Sequence, residues 1–267
     1  MNWKPIIIKF EHDPWELAIE CDALYECPKD SFGKRLGPLV PYAGKGPDGR
    51  NLVGDVYFNF ARIEEHPGIV DRFAELLWGK VIAPETPVGT ALAFMEATTI
   101  VGIPDGGRSL GQMVAFIRSK RFVYPAKVPR VKSEGATKEE YDLVFKRSEL
   151  SPGETVIVCD DVHNNFQNTD DMLNEIGKTG AKVVGLCSAL NRSPTVDSMY
   201  TPKAGSFAGI SLPVVSVIRK PLVEWRQDDS EVTEDIKNGN IEPKVKDNWA
   251  RLKATMMKAR DCEHLGA

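Results

Sequence analysis

The chain has 267 residues, of which 42% are hydrophobic and 27% are charged, a composition typical of one large globular domain or two small ones. Its formal net charge of −4 provides no strong basic field, so we expect neither nucleic acid nor a membrane surface as a partner. No apolar run reaches the length of about 18 residues that a membrane-spanning helix needs, and the N-terminus lacks the pattern of a signal peptide.

The five cysteines form no CxxC pair. Cys159 and Cys187 lie inside apolar runs, where a free cysteine behaves as a small hydrophobic residue. This usage predicts a reduced, cytoplasmic protein without structural zinc.

A helix is the first element that the sequence predicts. Asp13 can cap it, Pro14 suits its first turn, and Glu16 lies three residues after the cap. The stretch from Gly33 to Gly54 is rich in glycine and proline, which indicates loops and turns with at most one short strand. Val56 to Phe60 is typical of a strand.

From residue 61 onward, apolar strands alternate with amphipathic helices. Three helices are expected, around Ile69 to Leu77, Leu110 to Ile117 and Met172 to Ile176. The predicted strands are Thr98–Ile103, Arg121–Tyr124, Thr155–Cys159, Lys182–Ser188 and Pro213–Ile218. This alternation predicts an α/β fold with a mostly parallel sheet covered by helices on both faces. Ligands of such sheets bind beyond the carboxyl ends of the strands.

Three domains follow from this organisation. Residues 1–60 would form an N-terminal helix and a small hood, and residues 61–222 the α/β core. Residues 223–267 would form a helical extension that packs on the core, with one helix around Trp249 and Leu252.

Two loops between a strand and a helix have the composition of phosphate sites. In the first, GIPDGGRSLG, Gly106 and Gly107 let the backbone approach a ligand, and Arg108 adds a positive charge. Glycines at such a turn also occur as turn chemistry alone, so both interpretations stay open here.

In the second loop, VIVCDDVHNNFQNT, Asp160 and Asp161 end an apolar strand and are suited to Mg²⁺ or to ribose hydroxyls. Polar side chains after the acids could contact a phosphate at the helix N-terminus. These are Asn164, Asn165, Gln167, Asn168 and Thr169. The alternative is that Asn168 or Thr169 only caps the helix and that the acids are solvated.

The second loop resembles the phosphoribosyl-pyrophosphate (PRPP) motif of type I phosphoribosyltransferases, and GIPDGGRSLG resembles the pyrophosphate loop of that family. GDVYFNFARI is similar to a segment of the orotate phosphoribosyltransferases. The resemblance covers roughly residues 39–220. It implies a type I phosphoribosyltransferase-like parallel sheet flanked by helices, with a small N-terminal hood.

The resemblance also implies a reaction, a metal and an assembly. The enzyme would transfer the ribose 5-phosphate group from the Mg²⁺ complex of PRPP to a nucleobase. The expected base is similar to orotate, as in pyrimidine nucleotide synthesis. The protein would be a homodimer in which a mobile loop closes over PRPP. Residues 127–149 stand where that loop belongs, with Lys127, Arg130, Lys132 and Lys138.

The same resemblance assigns roles to residues. Asp160 and Asp161 would position ribose and metal, and Lys127 and Lys132 are the candidate catalytic cations. Gly106, Gly107 and Arg108 would hold pyrophosphate, and the loop from Asn164 to Thr169 would hold the 5-phosphate. Tyr57, Phe58 and Asn59 would lie near the base.

The sequence departs from the family pattern at three places. The phosphate loop carries Asn, Asn, Phe and Gln where the family has threonine or serine and glycine, so that Phe166 replaces a flexible residue. Tyr42 stands where the orotate enzymes carry a lysine, with Lys45 close by. The Lys-Glu-x-x-Lys-x-His pattern is missing, and we interpret His163 as a loop residue rather than a catalyst.

A protein of another class is the alternative hypothesis. It would be a catalytically degenerate regulatory protein on the same scaffold that binds PRPP or a nucleotide without turnover. A Rossmann-type dinucleotide enzyme is disfavoured, because PDGGRSLG does not match GxGxxG and no acid follows at a second strand end.

Overall fold

The computed structural model describes residues 13–129 and 141–265. The chain divides into two compact units. The first contains residues 1–17 and 60–221, and the second contains residues 18–59 and 222–267. The second unit therefore combines the predicted hood with the C-terminal segment that we expected to pack on the core, and the domain boundaries predicted from the sequence stay a prediction.

A six-stranded sheet forms the centre of the first unit, in the order β11-β12-β10-β9-β5-β6. All neighbouring strands are parallel except β11, which runs antiparallel to β12 at one edge. The strands are β5 (Thr99–Gly102), β6 (Arg121–Val123), β9 (Thr155–His163), β10 (Lys182–Asn191), β11 (Met199–Tyr200) and β12 (Leu212–Arg219). Helices flank this sheet, which confirms the predicted α/β fold class.

Helices surround the sheet of the first unit. They are α2 (Phe60–Glu64), α3 (Pro67–Val81), α4 (Val88–Glu96), α5 (Gly106–Ile117) and α6 (Gln167–Gly177). Helix α1 (Pro14–Glu20) crosses the boundary between the units. Helix α6 buries Met172, Leu173 and Ile176 in a core that also contains Val156 and Val158 of β9.

Helix α5 covers the opposite face of the sheet at close range. A Cβ atom at Gly111 would lie 3.3 Å from Cys159 Cβ and 3.4 Å from Ile100 Cγ2. Because successive side chains of a strand point to opposite faces, Cys159 lies on the other side of β9 from Val158 and α6. The sheet is thus covered on both faces, as its continuous apolar strands require.

A two-stranded hairpin follows β6, where the sequence analysis expected one long loop. Strand β7 (Ala126–Pro129) pairs antiparallel with β8 (Tyr141–Val144), so Lys127 lies on a strand opposite Leu143. The predicted catalytic Lys132, together with Arg130 and Lys138, lies outside the described residues.

The second unit contains two small hairpin-like pairs and two helices. Strand β1 (Leu24–Glu26) pairs with β4 (Val56–Phe58), and β2 (Val40–Lys45) pairs with β3 (Asn51–Gly54), both antiparallel. Helices α7 (Thr233–Lys237) and α8 (Trp249–Leu265) complete it. The stretch from Gly33 to Gly54 therefore contains β2 and β3 rather than a single short strand.

Several element boundaries differ from those predicted. Strand β9 continues from the predicted end at Cys159 to His163, and β10 continues from Ser188 to Asn191. The predicted strand Val56 to Phe60 ends at Phe58, and Phe60 begins α2. The extension of β9 matters for function, because it places both acids within the strand instead of in the loop after it.

Candidate active site at the carboxyl edge of the sheet

The acidic end of β9 lies directly against the N-terminus of α5. A Cβ atom at Gly106 would lie 2.2 Å from Asp161 Oδ2, and one at Gly107 would lie 2.3 Å from the carbonyl oxygen of Cys159. Only glycine fits such distances, so the two glycines allow the helix to begin at the carboxylate. The peptide between Pro104 and Asp105, just before this helix, is cis. The structure thus brings together the acid pair and the glycine loop that the sequence analysis selected separately.

The two acids are neighbours that contact each other through a hydrogen bond. Asp160 is 4% exposed, and its Oδ1 accepts the N–H of Asp161 at 2.9 Å, while Asp161 Oδ1 accepts the N–H of Val162 at 2.9 Å. Burial, followed by the charge of Asp161 and the hydrogen bond between the two carboxyl groups, raises the pKa of Asp160 well above its ordinary value. Asp161 is the more exposed carboxylate of the two. Asp161 is therefore the group that an incoming ligand meets first.

Lys127 lies near the acid pair, and Arg108 follows the two glycines of the neighbouring loop. Lys127 Nζ lies 3.1 Å from Asp105 Oδ2, and its charge also opposes the rise in the pKa of Asp160. The guanidinium of Arg108 lies 4.1 Å from the ring centroid of Tyr124, and the side chain is exposed. The ion pair of Lys127 is open to solvent, so it stabilises the fold little, and both cations are accessible to an anionic ligand.

The donor set fits Mg²⁺ only as part of a ligand complex. The described residues contain no cluster of three or more His, Cys, Asp or Glu that could hold a metal alone. Mg²⁺ at phosphate sites is commonly held by one or two carboxylates, with phosphate oxygens and water as the remaining ligands. Asp161, with Asp160 behind it, can supply that share, and such an ion would neutralise charge on a pyrophosphate.

The predicted phosphate loop has an aromatic side chain at its centre that points into the protein. Phe166 adopts a φ of 61°, the left-handed conformation that favours glycine, directly before α6. Its ring is 3% exposed and stacks between His163, at a centroid distance of 4.7 Å, and Tyr200, at 4.2 Å. The ring therefore belongs to the hydrophobic core, and its burial holds the strained backbone in place.

Polar contacts around this stack involve the start of α6. The hydroxyl of Tyr200 donates to Asp170 Oδ1 at 2.7 Å, and Asp170 lies in the first turn of the helix. Asn165 Oδ1 accepts the N–H of Gln167 at 3.2 Å. Asn165 therefore satisfies one backbone N–H at the start of the helix, that of Gln167.

The predicted phosphate contacts differ in accessibility. Asn165, Gln167 and Asn168 are exposed and Asn164 is half-buried, whereas Thr169 is completely buried. The hydroxyl of Thr169 faces the interior and, among the described residues, finds no hydrogen-bond partner.

The structure corrects the interpretation of His163 as a loop residue, because His163 ends strand β9, and it places at this edge Arg192, which the sequence analysis did not select. His163 is 1% exposed, and burial lowers its pKa to about 3, so that the imidazole is neutral. Arg192 follows the end of β10, donates its N–H to the carbonyl of His163 at 2.9 Å, and is 8% exposed. The signal for Arg192 was available, since it is a charged residue directly after an apolar strand.

The three residues proposed to lie near a base belong to the second unit. Phe58 and Asn59 are buried, at 8% and 7% exposure. Tyr57 is half-buried, and its ring meets Trp249 edge-on at 6.1 Å. Tyr42 donates its hydroxyl hydrogen to the carbonyl of Val56 at 2.6 Å.

Comparisons with known proteins give similarity at the level of structure only. No protein-family model matches the chain, and no curated protein sequence matches it. An orotate phosphoribosyltransferase from Aeropyrum pernix has 17% identity and a TM-score of 0.44, over 76% of this chain and 95% of that one. A UMP synthase from Leishmania donovani has 13% identity and a TM-score of 0.46 over 92% of this chain, which spans 42% of that protein. An adenine phosphoribosyltransferase from Rhodothermus marinus has 15% identity and a TM-score of 0.41, over 77% and 98%.

We assign the fold from the topology of the chain itself and not from its similarity to these structures. Five parallel strands with flanking helices carry an acid pair at the end of β9 and a glycine loop at the end of the adjacent β5. Among the described residues, no helix has both the length and the apolar character needed to span a membrane. The first unit has the predicted α/β fold, a mostly parallel sheet flanked by helices.

Proposed function

We propose that the carboxyl edge of the sheet binds a pyrophosphate ester of a pentose as its Mg²⁺ complex, with PRPP as the type ligand. The proposed reaction transfers the pentosyl group to a nitrogen atom of a base and releases pyrophosphate. The observation that supports this proposal is the contact between Asp161 and the Gly106 backbone. It places a carboxylate at the N-terminus of α5, whose first N–H groups can bind an anion, and Lys127 and Arg108 at the same edge are accessible to a ligand.

The roles of the residues follow from charge. Negative charge grows on the pyrophosphate as the bond to the pentose breaks, and N–H groups at Gly106 and Gly107 would stabilise it together with Arg108 and Lys127. Asp161 would hold the metal, which neutralises pyrophosphate oxygens when it is bound. Asp160, which is buried, would position Asp161 through the hydrogen bond between them.

The finer features implied by the sequence resemblance are part of the same proposal. They are a base similar to orotate, a homodimer, and positions near the base for Tyr57, Phe58 and Asn59. Their support is the likeness of GDVYFNFARI to the orotate enzymes. A panel of bases that includes orotate and adenine tests the first feature, and sedimentation equilibrium tests the second.

Calorimetry and a pyrophosphate-release assay test the proposal directly. The intact protein should bind inorganic pyrophosphate with Mg²⁺, and Asp161→Asn should weaken that binding by about tenfold or more, the effect expected for a lost charged contact. Asp171→Asn, which changes an exposed acid on α6, serves as the control and should bind like the wild type. If the wild type does not bind pyrophosphate with Mg²⁺, the proposal is wrong.

A protein that binds without turnover is the second candidate function. The buried ring of Phe166 favours it, because the central residue of the loop that would hold a 5-phosphate is packed in the core. This candidate predicts binding of pyrophosphate without its release from PRPP in the presence of any base in the panel. Release with a single base excludes it.

A further inference from the structure

We infer that Tyr124 is a positioning residue of the proposed pyrophosphate site, because its ring holds the guanidinium of Arg108 in place for the ligand. The inference rests on the proposed function, since it concerns how the same site binds pyrophosphate. Tyr124 itself does not touch the ligand and acts only through Arg108.

Arg108 lies against the ring of Tyr124. The central carbon of the guanidinium is 4.1 Å from the ring centroid, well inside the distance of about 6 Å at which a cation and an aromatic face attract each other. A guanidinium carries its N–H groups in its plane and can stack without using them. Within residues 13–129 and 141–265, the Arg108 side chain forms no hydrogen bond or ion pair. The contact with Tyr124 therefore leaves these donors available to an anion.

The place of Arg108 in the chain makes its orientation matter. It follows Gly106 and Gly107 in the first turn of α5, where the first N–H groups of the helix are proposed to bind pyrophosphate. An exposed arginine side chain samples many rotamers, so fixing it on a ligand costs conformational entropy. A ring that already holds the guanidinium lowers this cost, which is how preorganisation increases affinity.

The ring of Tyr124 is itself held in place. Tyr124 directly follows β6, and Pro125 restricts it to an extended backbone, so that Tyr124 and Phe122 lie on the same face of the strand. Their ring centroids are 5.7 Å apart. Phe122 packs where α5 meets β5, because a Cβ atom at Gly102 or at Gly111 would lie 3.1 Å from Phe122 Cε2. The ring of Tyr124 is thus part of a packed aromatic pair that is anchored on the sheet.

A second pair of the same chemistry lies at the other end of α5 and provides the control. The guanidinium of Arg118, directly after the last residue of the helix, is 4.8 Å from the ring centroid of Trp78. Arg118 is exposed, as Arg108 is, but at 1.5 Å per residue it lies about 15 Å further along the helix. Removal of either guanidinium changes the net charge equally, and only Arg108 lies at the proposed site.

Calorimetry with inorganic pyrophosphate and Mg²⁺ tests the inference on the intact protein. Tyr124→Leu removes the ring and should weaken binding by about two- to fivefold, the effect of an exposed contact between a cation and a ring. Tyr124→Phe keeps the ring without its hydroxyl group and should bind like the wild type. Arg118→Ala should also bind like the wild type.

A double-mutant cycle separates positioning from a purely structural effect. Arg108→Ala should weaken pyrophosphate binding by itself. Because Tyr124 acts through Arg108, Tyr124→Leu should cause no further loss of affinity in the Arg108→Ala background. A structural effect of Tyr124→Leu would instead weaken binding to the same extent in both backgrounds.

The outcomes separate the inference from the function on which it rests. If the wild type binds pyrophosphate and Tyr124→Leu binds equally well, or loses the same affinity with and without Arg108, the inference alone is overturned. A Tyr124→Phe protein that binds as weakly as Tyr124→Leu overturns it as well. If the wild type does not bind pyrophosphate with Mg²⁺, the proposed function fails and the inference falls with it.

Discussion

Gly107 shows how a single missing side chain determines the geometry of the site. A Cβ atom at this position would lie 2.3 Å from the carbonyl oxygen of Cys159 and 2.8 Å from the Cα atom of Asp160, both backbone atoms that cannot rotate away. We predict that Gly107→Ala lowers the free energy of unfolding by about 1 to 3 kcal/mol, the usual effect of overpacking. Urea unfolding measures the change.

Gly79 provides the matched control for that substitution. It lies in α3, is exposed, and has no heavy atom within 4 Å of an added Cβ among the described residues. Gly79→Ala should therefore raise the free energy of unfolding by up to about 1 kcal/mol, because alanine is the better helix former. A Gly107→Ala protein as stable as the wild type would contradict the packing described for the acid pair.

Residue chemistry made part of the site predictable. Two acids after an apolar strand and two glycines before a helix are local patterns, so Asp161 and Gly106 could be selected from the sequence alone. Their contact could not, since it depends on the pairing of β5 with β9. The role of Phe166 was also hidden: the sequence shows that it replaces a flexible residue, but its partner Tyr200 is distant along the chain and only the fold brings them together.

At the scale of elements, one half-buried acid connects three strands of the sheet. Glu154, just before β9, accepts hydrogen bonds from Thr99 of β5 and from Arg121 of β6, the latter at 2.7 Å, and from the N–H of Ser151 at 2.9 Å. Burial alone would raise the pKa of Glu154, but these hydrogen bonds and the charge of Arg121 outweigh it and lower the pKa below the ordinary value of 4.5.

A pH dependence of stability follows from this lowered pKa. The folded protein holds the charged carboxylate, so its contribution is complete above the unfolded pKa and is lost as the pH falls through the folded pKa. We predict that Glu154→Gln lowers the free energy of unfolding by about 1 to 2 kcal/mol at pH 7. This value is at the low end for a charged hydrogen bond, because Arg121 is partly exposed and solvent screens its charge.

The difference between wild type and Glu154→Gln should shrink as the pH falls below about 4.5, the ordinary value of the side chain. Urea unfolding at several pH values measures it. Asp228→Asn, which removes an acid from the exposed ion pair with Arg226, is the control and should change stability little at any pH. A constant difference across the pH range would contradict the proposed origin of the stabilisation.

Elements were predictable where their pattern was periodic and local. The alternation of apolar strands and amphipathic helices gave the parallel sheet, and β5, β9 and β12 lie within a few residues of their predicted positions. Strands β7 and β8 were missed because their exposed, mixed-charge residues bury little surface on either face, as the half-exposed pattern of β7 shows. Strands β2 and β3 were missed because glycines and prolines surround them. Each strand is also stabilised by its pairing with the other, which the sequence of either one alone does not show.

At the scale of the whole molecule, the second unit is assembled from both ends of the chain. Leu39 donates its N–H to the carbonyl of Asn240 at 3.0 Å, and Val53 and Trp225 exchange two backbone hydrogen bonds of 2.9 Å. Trp249 is 3% exposed, and its indole N–H donates to the carbonyl of Asp22 at 2.9 Å. The strands of residues 18–59 thus depend on the C-terminal segment for backbone partners and for their core.

We therefore predict that a chain ending at residue 221 loses the structure of residues 18–59. Without residues 222–267, the N–H groups of Leu39 and Val53 lose their partners, and the cluster of Tyr25, Val40 and Trp249 loses its largest side chain. Hydrogen exchange should show loss of protection in peptides that cover β2 and β3. Peptides from β9, whose backbone partners all lie within the first unit, provide the internal comparison.

A substitution in the full-length chain tests the same dependence without removing any backbone partner. Trp249→Ala leaves a cavity in the core of the second unit. Such a substitution should lower the free energy of unfolding by about 3 to 5 kcal/mol. Exchange should increase most around β1 and β2, which contribute Tyr25 and Val40 to that cluster. If β2 and β3 keep full protection in both the shortened chain and Trp249→Ala, residues 18–59 fold without the C-terminal segment. The second unit would then have to be described as two independent parts, and the predicted boundary at residue 223 would gain support.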